Sequence, residues 1–213
     1  MLTVNEIFFS IQGEGRRAGE PCVFVRLTGC PLRCVWCDTA YAFHEGRKRD
    51  EDEVLREIER YPCRSVLVTG GEPLAQPAAF AFVTRLADEG WSVSVETSGH
   101  IPLDDLDPRA IAVVDVKAPG SGETARVHWP NLDRLRAHDE LKFVLRDRAD
   151  YEWSRDLVRA RGLGSRCAAV LFSPVHGELG PGALADWILQ DGLAVRLQVQ
   201  LHKYLWPGVE RGV

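Results

Sequence analysis

Seven runs of β-branched and apolar residues recur along the chain, at Cys22 to Thr28, Ser65 to Thr69, Ser92 to Thr97, Ile111 to Lys117, Glu140 to Leu145, Ala168 to Ser173 and Ala194 to Gln200. Helical patterns fill most of the intervals, and this alternation constrains the fold more than any other feature. A strand, a helix and a further strand return in a parallel sheet through a right-handed crossover. Asp50 is placed to cap a helix that presents Val54, Leu55 and Ile58 on one face, and Pro77 to open a second with Phe82, Val83 and Leu86 inward. A third pattern runs from Asp147 to Arg161 through Trp153, Leu157 and Val158, and a fourth holds Leu184, Trp187 and Ile188. The strands fall short of the eight of a closed barrel, and connections such as Asn131 to Arg136 look stunted. The expectation is therefore an α/β fold, an incomplete, partial TIM-type barrel with a mainly parallel sheet of about six core strands and reduced helices. Ligands should gather where the C-terminal strand ends open into loops, after Thr28, Thr69, Thr97, Lys117, Ser173 and Gln200. Arg47-Lys48-Arg49, ahead of Asp50-Glu51-Asp52-Glu53, reads as a loop running into an acidic helix start.

No repeat, low-complexity tract or linker divides the 213 residues, so 1–213 is expected to be one domain. With 45% hydrophobic and 27% charged residues the composition is that of an ordinary globular protein. A net charge of −5 argues against a general nucleic-acid binder or a polybasic membrane binder. No apolar run approaches the ~18 residues that span a bilayer, and Met1 to Glu6 lacks the basic-then-apolar pattern of a secretory leader. The expected location is the cytoplasm, with neither nucleic acid nor membrane as partner.

Six cysteines, at 22, 30, 34, 37, 63 and 167, do not form a secreted disulfide framework, because three of them crowd into eight residues. Cys22, Cys63 and Cys167 read as small buried apolar side chains. The crowded three lie in Gly29-Cys30-Pro31-Leu32-Arg33-Cys34-Val35-Trp36-Cys37-Asp38-Thr39, directly after a strand. Cys-x3-Cys-x2-Cys brings three thiolates from one loop, one fewer than a structural zinc site or a fully protein-ligated cubane takes. A zinc site completed by Cys22, Cys63 or His44, in a non-catalytic interaction module, stands as one alternative. The spacing also resembles the signature of radical S-adenosylmethionine enzymes, in which the iron without a cysteine is chelated by that cofactor, and Trp36 before the last cysteine fits the likeness. Thr69-Gly70-Gly71-Glu72-Pro73 and Glu96-Thr97-Ser98-Gly99, at the next strand ends, are similar to family motifs on the same face.

Near the N-terminus stands Ser10-Ile11-Gln12-Gly13-Glu14-Gly15, ahead of Arg26. With Cys37-Asp38-Thr39 and Gln200-Leu201-His202-Lys203, the whole chain resembles the 7-carboxy-7-deazaguanine synthase family. The resemblance implies a lyase that converts 6-carboxy-5,6,7,8-tetrahydropterin to 7-carboxy-7-deazaguanine with loss of ammonia. The implied chemistry abstracts hydrogen from C6 through a 5′-deoxyadenosyl radical and later returns it. It also implies a [4Fe–4S] cluster on Cys30, Cys34 and Cys37, S-adenosylmethionine, and Mg²⁺ with Thr39 as its ligand. Pterin contacts are implied for Ile11, Gln12, Gly13, Arg26, Thr69 and His202. Cofactor contacts are implied for Trp36, Cys37, Asp38, Gly71 and Glu72, and further on for Asp115, Val116, Lys117, Ser173 and His176. Asp115-Val116-Lys117 departs from the Ser-Pro-Lys common in the family, and Pro207 lies beyond where members often stop. An electron donor such as flavodoxin and a homodimer are implied as partners. Within the same superfamily, a glycyl-radical-enzyme activase shares the cysteine loop but acts on a protein.

Overall fold

In the computed structural model, which describes residues 1–213, the chain opens on an antiparallel pair: β1 (Leu2–Ile11) runs against β2 (Pro21–Leu27), with Glu6 opposite Arg26 and Phe8 opposite Phe24. A short β3 (Arg47–Arg49) pairs along the outer edge of β1. From β2 onward every neighbour is parallel: β4 (Ser65–Gly70), β5 (Ser92–Thr97), β6 (Ile111–Asp115), β7 (Glu140–Leu145), β8 (Ala169–Pro174) and a two-residue β9 (Arg196–Leu197). The nine strands form one sheet in the order β3-β1-β2-β4-β5-β6-β7-β8-β9, with free edges at β3 and β9. This is the incomplete barrel expected from the alternation, with six full parallel strands and a vestigial seventh.

Helices cover only part of the outside. α1 (Glu51–Ile58) starts at Asp50 in a capping box, the Asp50 carboxylate accepting from the Glu53 N–H and the Glu53 side chain returning to the Asp50 N–H. α2 (Ala78–Asp88), α3 (Arg148–Arg161), α4 (Pro181–Gln190) and a five-residue α5 (Leu201–Leu205) complete the set. No helix joins β5 to β6, and only single 3-10 turns, such as Trp129–Asp133, lie between β6 and β7. No helix is long and apolar enough to cross a membrane.

The two faces of the sheet divide the chemistry. Val23, Val25, Leu27, Val66, Val68, Val93, Val95, Leu141, Phe143 and Leu145 point outward and pack with Val54, Ile58, Phe82, Leu86, Val158 and Leu184 of the helices in one buried core. The alternate residues face inward, where Phe8, Cys22, Phe24 and Leu67 form a small apolar layer near the strand starts. Above that layer the inward positions turn polar, to Arg26, Thr69, Glu96, Asp115 and Lys142. A fully packed barrel interior would carry branched apolar residues at these positions.

Three expectations need correction. Arg47-Lys48-Arg49 is a strand, because its backbone completes the edge of β1 and the Arg49 guanidinium is buried onto Glu57 at 2.7 Å. β1 was hidden in the sequence by polar Thr3, Asn5 and Glu6 among its apolar residues. Ala194 to Gln200 yields only β9, since beyond Leu197 the backbone turns inward to the cavity. On α3 the buried face is Tyr151, Ser154 and Val158, with Trp153 and Leu157 at its border.

Candidate active site

The parallel strands open at their C-terminal ends into a cavity of about 470 Å³, in the range of small-ligand pockets. Its upper wall is the cysteine loop, fastened on both sides. The Gly29 N–H donates to the Ala42 carbonyl at 2.8 Å, the Glu72 N–H donates to the Gly29 carbonyl at 2.8 Å, and the Val35 N–H donates to the Ser121 carbonyl at 3.2 Å. The Arg33 guanidinium donates to the Cys30 carbonyl at 2.7 Å while lying 4.2 Å over the Phe43 ring. Held this way, Cys30, Cys34 and Cys37 all line the cavity. Burial pushes the Cys34 thiol up to about 11, the Lys117 ammonium opposing it, and burial raises Cys30 as well. Coordination to a metal would remove those protons.

No three His, Cys, Asp or Glu side chains converge where a single metal ion could sit. A cubane asks for a different arrangement, because each thiolate takes its own iron and one iron is left for a ligand from outside the protein. Asp115 Oδ1, on the same cavity, is buried without a hydrogen-bond partner, while Oδ2 accepts from Lys117 Nζ at 2.8 Å. That orphaned oxygen beside three cysteines fits a cluster carrying a polar cofactor. Zinc fits less well, for it needs a fourth protein ligand. Cys22 and Cys63 meet at the start of β2, where Cys63 Sγ donates to the Pro21 carbonyl at 3.3 Å. Roughly 16 Å of strand, at about 3.3 Å per residue, separates them from the loop.

At Gly71 the backbone passes so close to the cysteine loop that an added Cβ would stand 2.7 Å from Cys30 Cβ and nearer still to the Gly29 carbonyl. Gly71→Ala is therefore expected to displace the loop, by overpacking worth about 1–3 kcal/mol. Equilibrium binding of S-adenosylmethionine to the anaerobic protein should weaken by about tenfold or more. Unchanged affinity would mean that the loop yields freely. Glu72 is wholly buried behind this wall, its carboxylate accepting from the Leu74 N–H at 3.0 Å, the Thr97 hydroxyl at 2.9 Å, the Ser98 N–H at 2.7 Å and the Ser98 hydroxyl at 2.5 Å. It ties the end of β4 to the end of β5 and so shapes the wall.

The floor comes from the opposite direction. β1 runs antiparallel, so its C-terminal end lies at the strand starts, and the following loop crosses beneath the sheet to Glu140, which accepts from the Arg16 N–H at 2.9 Å. Gln12, Gly13 and Glu14 face upward into the cavity. An added Cβ on Gly13 would stand 2.5 Å from His202 Nδ1, and the Leu201 N–H donates to the Gly13 carbonyl at 3.0 Å, so glycine lets α5 close onto this loop. Burial first, and Lys203 after it, depress His202, which is neutral at pH 7. Between floor and wall, Lys142 Nζ donates to Glu14 Oε2 at 2.7 Å, pairs with Glu96, and lies 3.7 Å from Asp115 Oδ2, with its side chain 5% exposed. Glu14 also accepts from Gln198 Nε2 and Gln200 Nε2, both at 3.0 Å. Burial raises the Glu14 carboxyl and Lys142 opposes that rise, whereas burial would lower Lys142 but is outweighed by Glu14 and Glu96, which leave it firmly protonated.

A family model for the radical SAM superfamily matches residues 24–118, the stretch that holds the cysteine loop and both glutamate motifs. Over its full length the chain is 44% identical to the 7-carboxy-7-deazaguanine synthase of Koribacter versatilis, with all of both chains covered. The chain belongs to the 7-carboxy-7-deazaguanine synthase family. The synthase of Chlorobaculum tepidum is 42% identical, over 100% of this chain and 97% of that one. The crystal structure of QueE from Escherichia coli has the same fold, with a TM-score of 0.78, 24% identity and 94% of each chain covered. As a radical SAM enzyme, this 7-carboxy-7-deazaguanine synthase relative uses a [4Fe–4S] cluster and S-adenosylmethionine.

Of the residues that likeness to 7-carboxy-7-deazaguanine synthases singles out, the fold gathers most around one cavity. Ile11, Gln12, Gly13, Arg26, Thr69 and His202 line it with Trp36, Asp38, Thr39, Gly71, Asp115, Lys117, His176 and the three cysteines. Val116 and Ser173 are buried behind the wall with Glu72 and do not line it. Glu14, Glu96, Lys142, Gln200 and Lys203 line it too, although sequence reasoning gave them no role. Lys142 had a readable signal, a lone lysine in Glu140-Leu141-Lys142-Phe143-Val144-Leu145 where a parallel core strand should be continuously apolar.

Proposed function

We propose that this protein is a carbon–nitrogen lyase converting 6-carboxy-5,6,7,8-tetrahydropterin to 7-carboxy-7-deazaguanine with loss of ammonia, a step toward queuosine and related deazapurines. The observation that carries this reading is the polarity of the cavity. Three cysteines stand at one end, and Arg26, Gln12, Glu14 and His202 stand across from them. When bound, the cluster and S-adenosylmethionine supply a radical that abstracts hydrogen.

The chain's own residues bind and orient the substrate. Arg26 spends Nε on Glu6 Oε1 at 2.7 Å, which leaves its two terminal nitrogens to fork onto the substrate carboxylate. Glu14 and Glu96 are acceptors suited to the N–H edge of an aminopyrimidinone, and Gln12 offers an amide for its carbonyl. Lys142 pairs with both glutamates and so fixes where their oxygens point. Toward the cofactor, Asp115 and Lys117 offer opposite charges to its amino and carboxylate groups, while Trp36, Asp38, Gly71 and His176 complete its surround. Glu72, Val116 and Ser173 support that surround from behind. The volume suits a small molecule, which disfavours a glycyl-radical activase.

A hard cation is added to this reading. Magnesium keeps most of its waters and needs few protein oxygens, and Thr39 supports it in a specific way: at the N-cap position of the 3-10 turn Ala40–Phe43 its hydroxyl caps nothing and donates only to Asp38 Oδ1 at 3.3 Å. Thr39→Ala is expected to keep the cluster colour and uncoupled cleavage of S-adenosylmethionine, yet to lower product formation and blunt its response to added Mg²⁺. The same Mg²⁺ dependence as the parent would remove Thr39 from the metal site.

The reading extends to one radical SAM domain over 1–213, supported by the single sheet and single large core. It takes an electron donor such as flavodoxin, and a reducing, cytoplasmic setting that suits six free cysteines. It also takes a homodimer, for which exposed Leu197 and Leu205 offer apolar surface. The deciding experiment is anaerobic incubation with reductant, S-adenosylmethionine and carboxytetrahydropterin, followed by mass analysis. A product lighter by ammonia supports the reading. Cleavage of S-adenosylmethionine with the pterin untouched overturns it.

A further inference from the structure

The segment after α5 folds back over the cavity, where Val209, Glu210 and Val213 join its lining. Between them Arg211 points away from the cavity, and its contacts lead back to the most important arginine of the site. Its Nη2 lies 2.7 Å from Glu45 Oε2, and its guanidinium lies 4.1 Å over the Tyr41 ring. Tyr41 stands between two guanidiniums, because Arg26 approaches its ring at 5.8 Å. The Tyr41 hydroxyl donates to Glu6 Oε1 at 2.8 Å, and that same oxygen accepts from Arg26 Nε at 2.7 Å. Phe8 completes the seat, with the Arg26 guanidinium 5.8 Å above its ring.

We propose that Glu6 and Tyr41 are positioning residues for Arg26, and that Arg211 latches the folded-back segment to them, so that the cavity's outer wall and the Arg26 fork are set together. The proposal rests on the reading that Arg26 takes the substrate carboxylate.

The physical grounds are those of directionality. A guanidinium on a flexible stem gains specificity only when its plane is fixed. Glu6 does this by taking Nε, which leaves the end-on pair of terminal nitrogens for the substrate, and Tyr41 holds Glu6 in place by sharing the accepting oxygen. The Arg211–Glu45 pair is half exposed, and pairs of that kind are weak alone. The cation–π seat on Tyr41 adds to it, giving a latch strong enough to bias the segment and weak enough to open.

The test is equilibrium binding of carboxytetrahydropterin to the anaerobic holoprotein without reductant, beside binding of S-adenosylmethionine to the same samples. Glu6→Gln and Tyr41→Phe should each weaken the pterin by about tenfold, as expected for losing a charge-assisted hydrogen bond. Arg211→Ala should weaken it by about threefold, and Arg211→Glu combined with Glu45→Arg should not restore it, because Tyr41 then loses its cation. Arg211→Lys, which keeps a cation over the ring, should recover part of the loss. Affinity for S-adenosylmethionine should stay within about twofold throughout. Pterin affinities equal to the parent's in Tyr41→Phe and Arg211→Ala overturn the proposal. Parallel loss of both ligands overturns it too, by marking these residues as general supports. If the parent itself fails to bind pterin, the proposed function fails first, and this inference falls with it.

Discussion

Alanine in place of Cys30, Cys34 or Cys37 is expected to leave a protein that no longer cleaves S-adenosylmethionine at all. The three thiols share one short loop, and in the proposed cluster each would take a separate iron, so no neighbour can stand in for a missing one. Two other sulfurs, Cys22 and Cys63, are tied up at the far end of β2. The fold itself should survive, because none of the three belongs to the large core on the outer face. The reconstituted variants should therefore keep the parent's circular dichroism while losing the brown cluster absorbance and all formation of 5′-deoxyadenosine. A single variant with full cleavage activity would sink the assignment of these ligands.

The second large effect belongs to Lys142. Lys142→Met keeps the length and removes the charge, leaving Glu14, Glu96 and Asp115 facing one another with their central counter-ion gone. Breaking a buried pair from one side costs about 3–5 kcal/mol, which for a chain of this size corresponds to a fall in Tm of about 10 °C. The sign with pH follows from Glu14, whose carboxyl burial already raises against the pull of Lys142. Without Lys142 it rises further. A carboxyl raised on folding favours the native state only below its unfolded value and opposes it as pH climbs through the folded value. The deficit of the variant should grow as the pH climbs above about 4.5 and shrink as the pH falls back toward it. Denaturant titrations of parent and variant at several pH values would read this directly, and a deficit independent of pH would mean that packing, not charge, is what Lys142 supplies. Pterin affinity should fall in the same variant, since the two glutamates lose their fixed orientation.

What was legible in the sequence was local or periodic. Asp50 announced α1 because a cap and an acidic helix start are written in a few consecutive residues. The cysteine loop was readable for the same reason, and Phe82, Val83 and Leu86 of α2 declared their buried face by spacing alone. Long-range arrangements stayed hidden. Nothing near Arg47 says that Leu2 to Val4 will offer it a strand partner. The Gln-Gly-Glu-Gly motif was recognisable, but its place beneath the sheet depends on β1 running antiparallel, which is a tertiary fact. Glu72 shows the opposite limit: its motif was clear, yet Thr97 and Ser98 claim its carboxylate from another strand end.

The contact between the floor loop and the segment before α5 has a consequence for biosynthesis. Glu14 accepts its hydrogen bond from Gln200 across a separation of 186 residues, and the Gly13 carbonyl meets Leu201 over almost the same span. Closing so long a loop is entropically slow, and contacts of this kind form late. On a ribosome the core of helices and parallel strands can assemble from the chain already made, whereas the cavity has no complete floor until the region around Gln200 has emerged. Nascent chains thus pass through a stage in which the sheet is folded but the acidic cluster around Lys142 lies open to water. Ligand binding at the floor, which Gln12, Glu14 and His202 line together, is thereby deferred until synthesis is nearly finished.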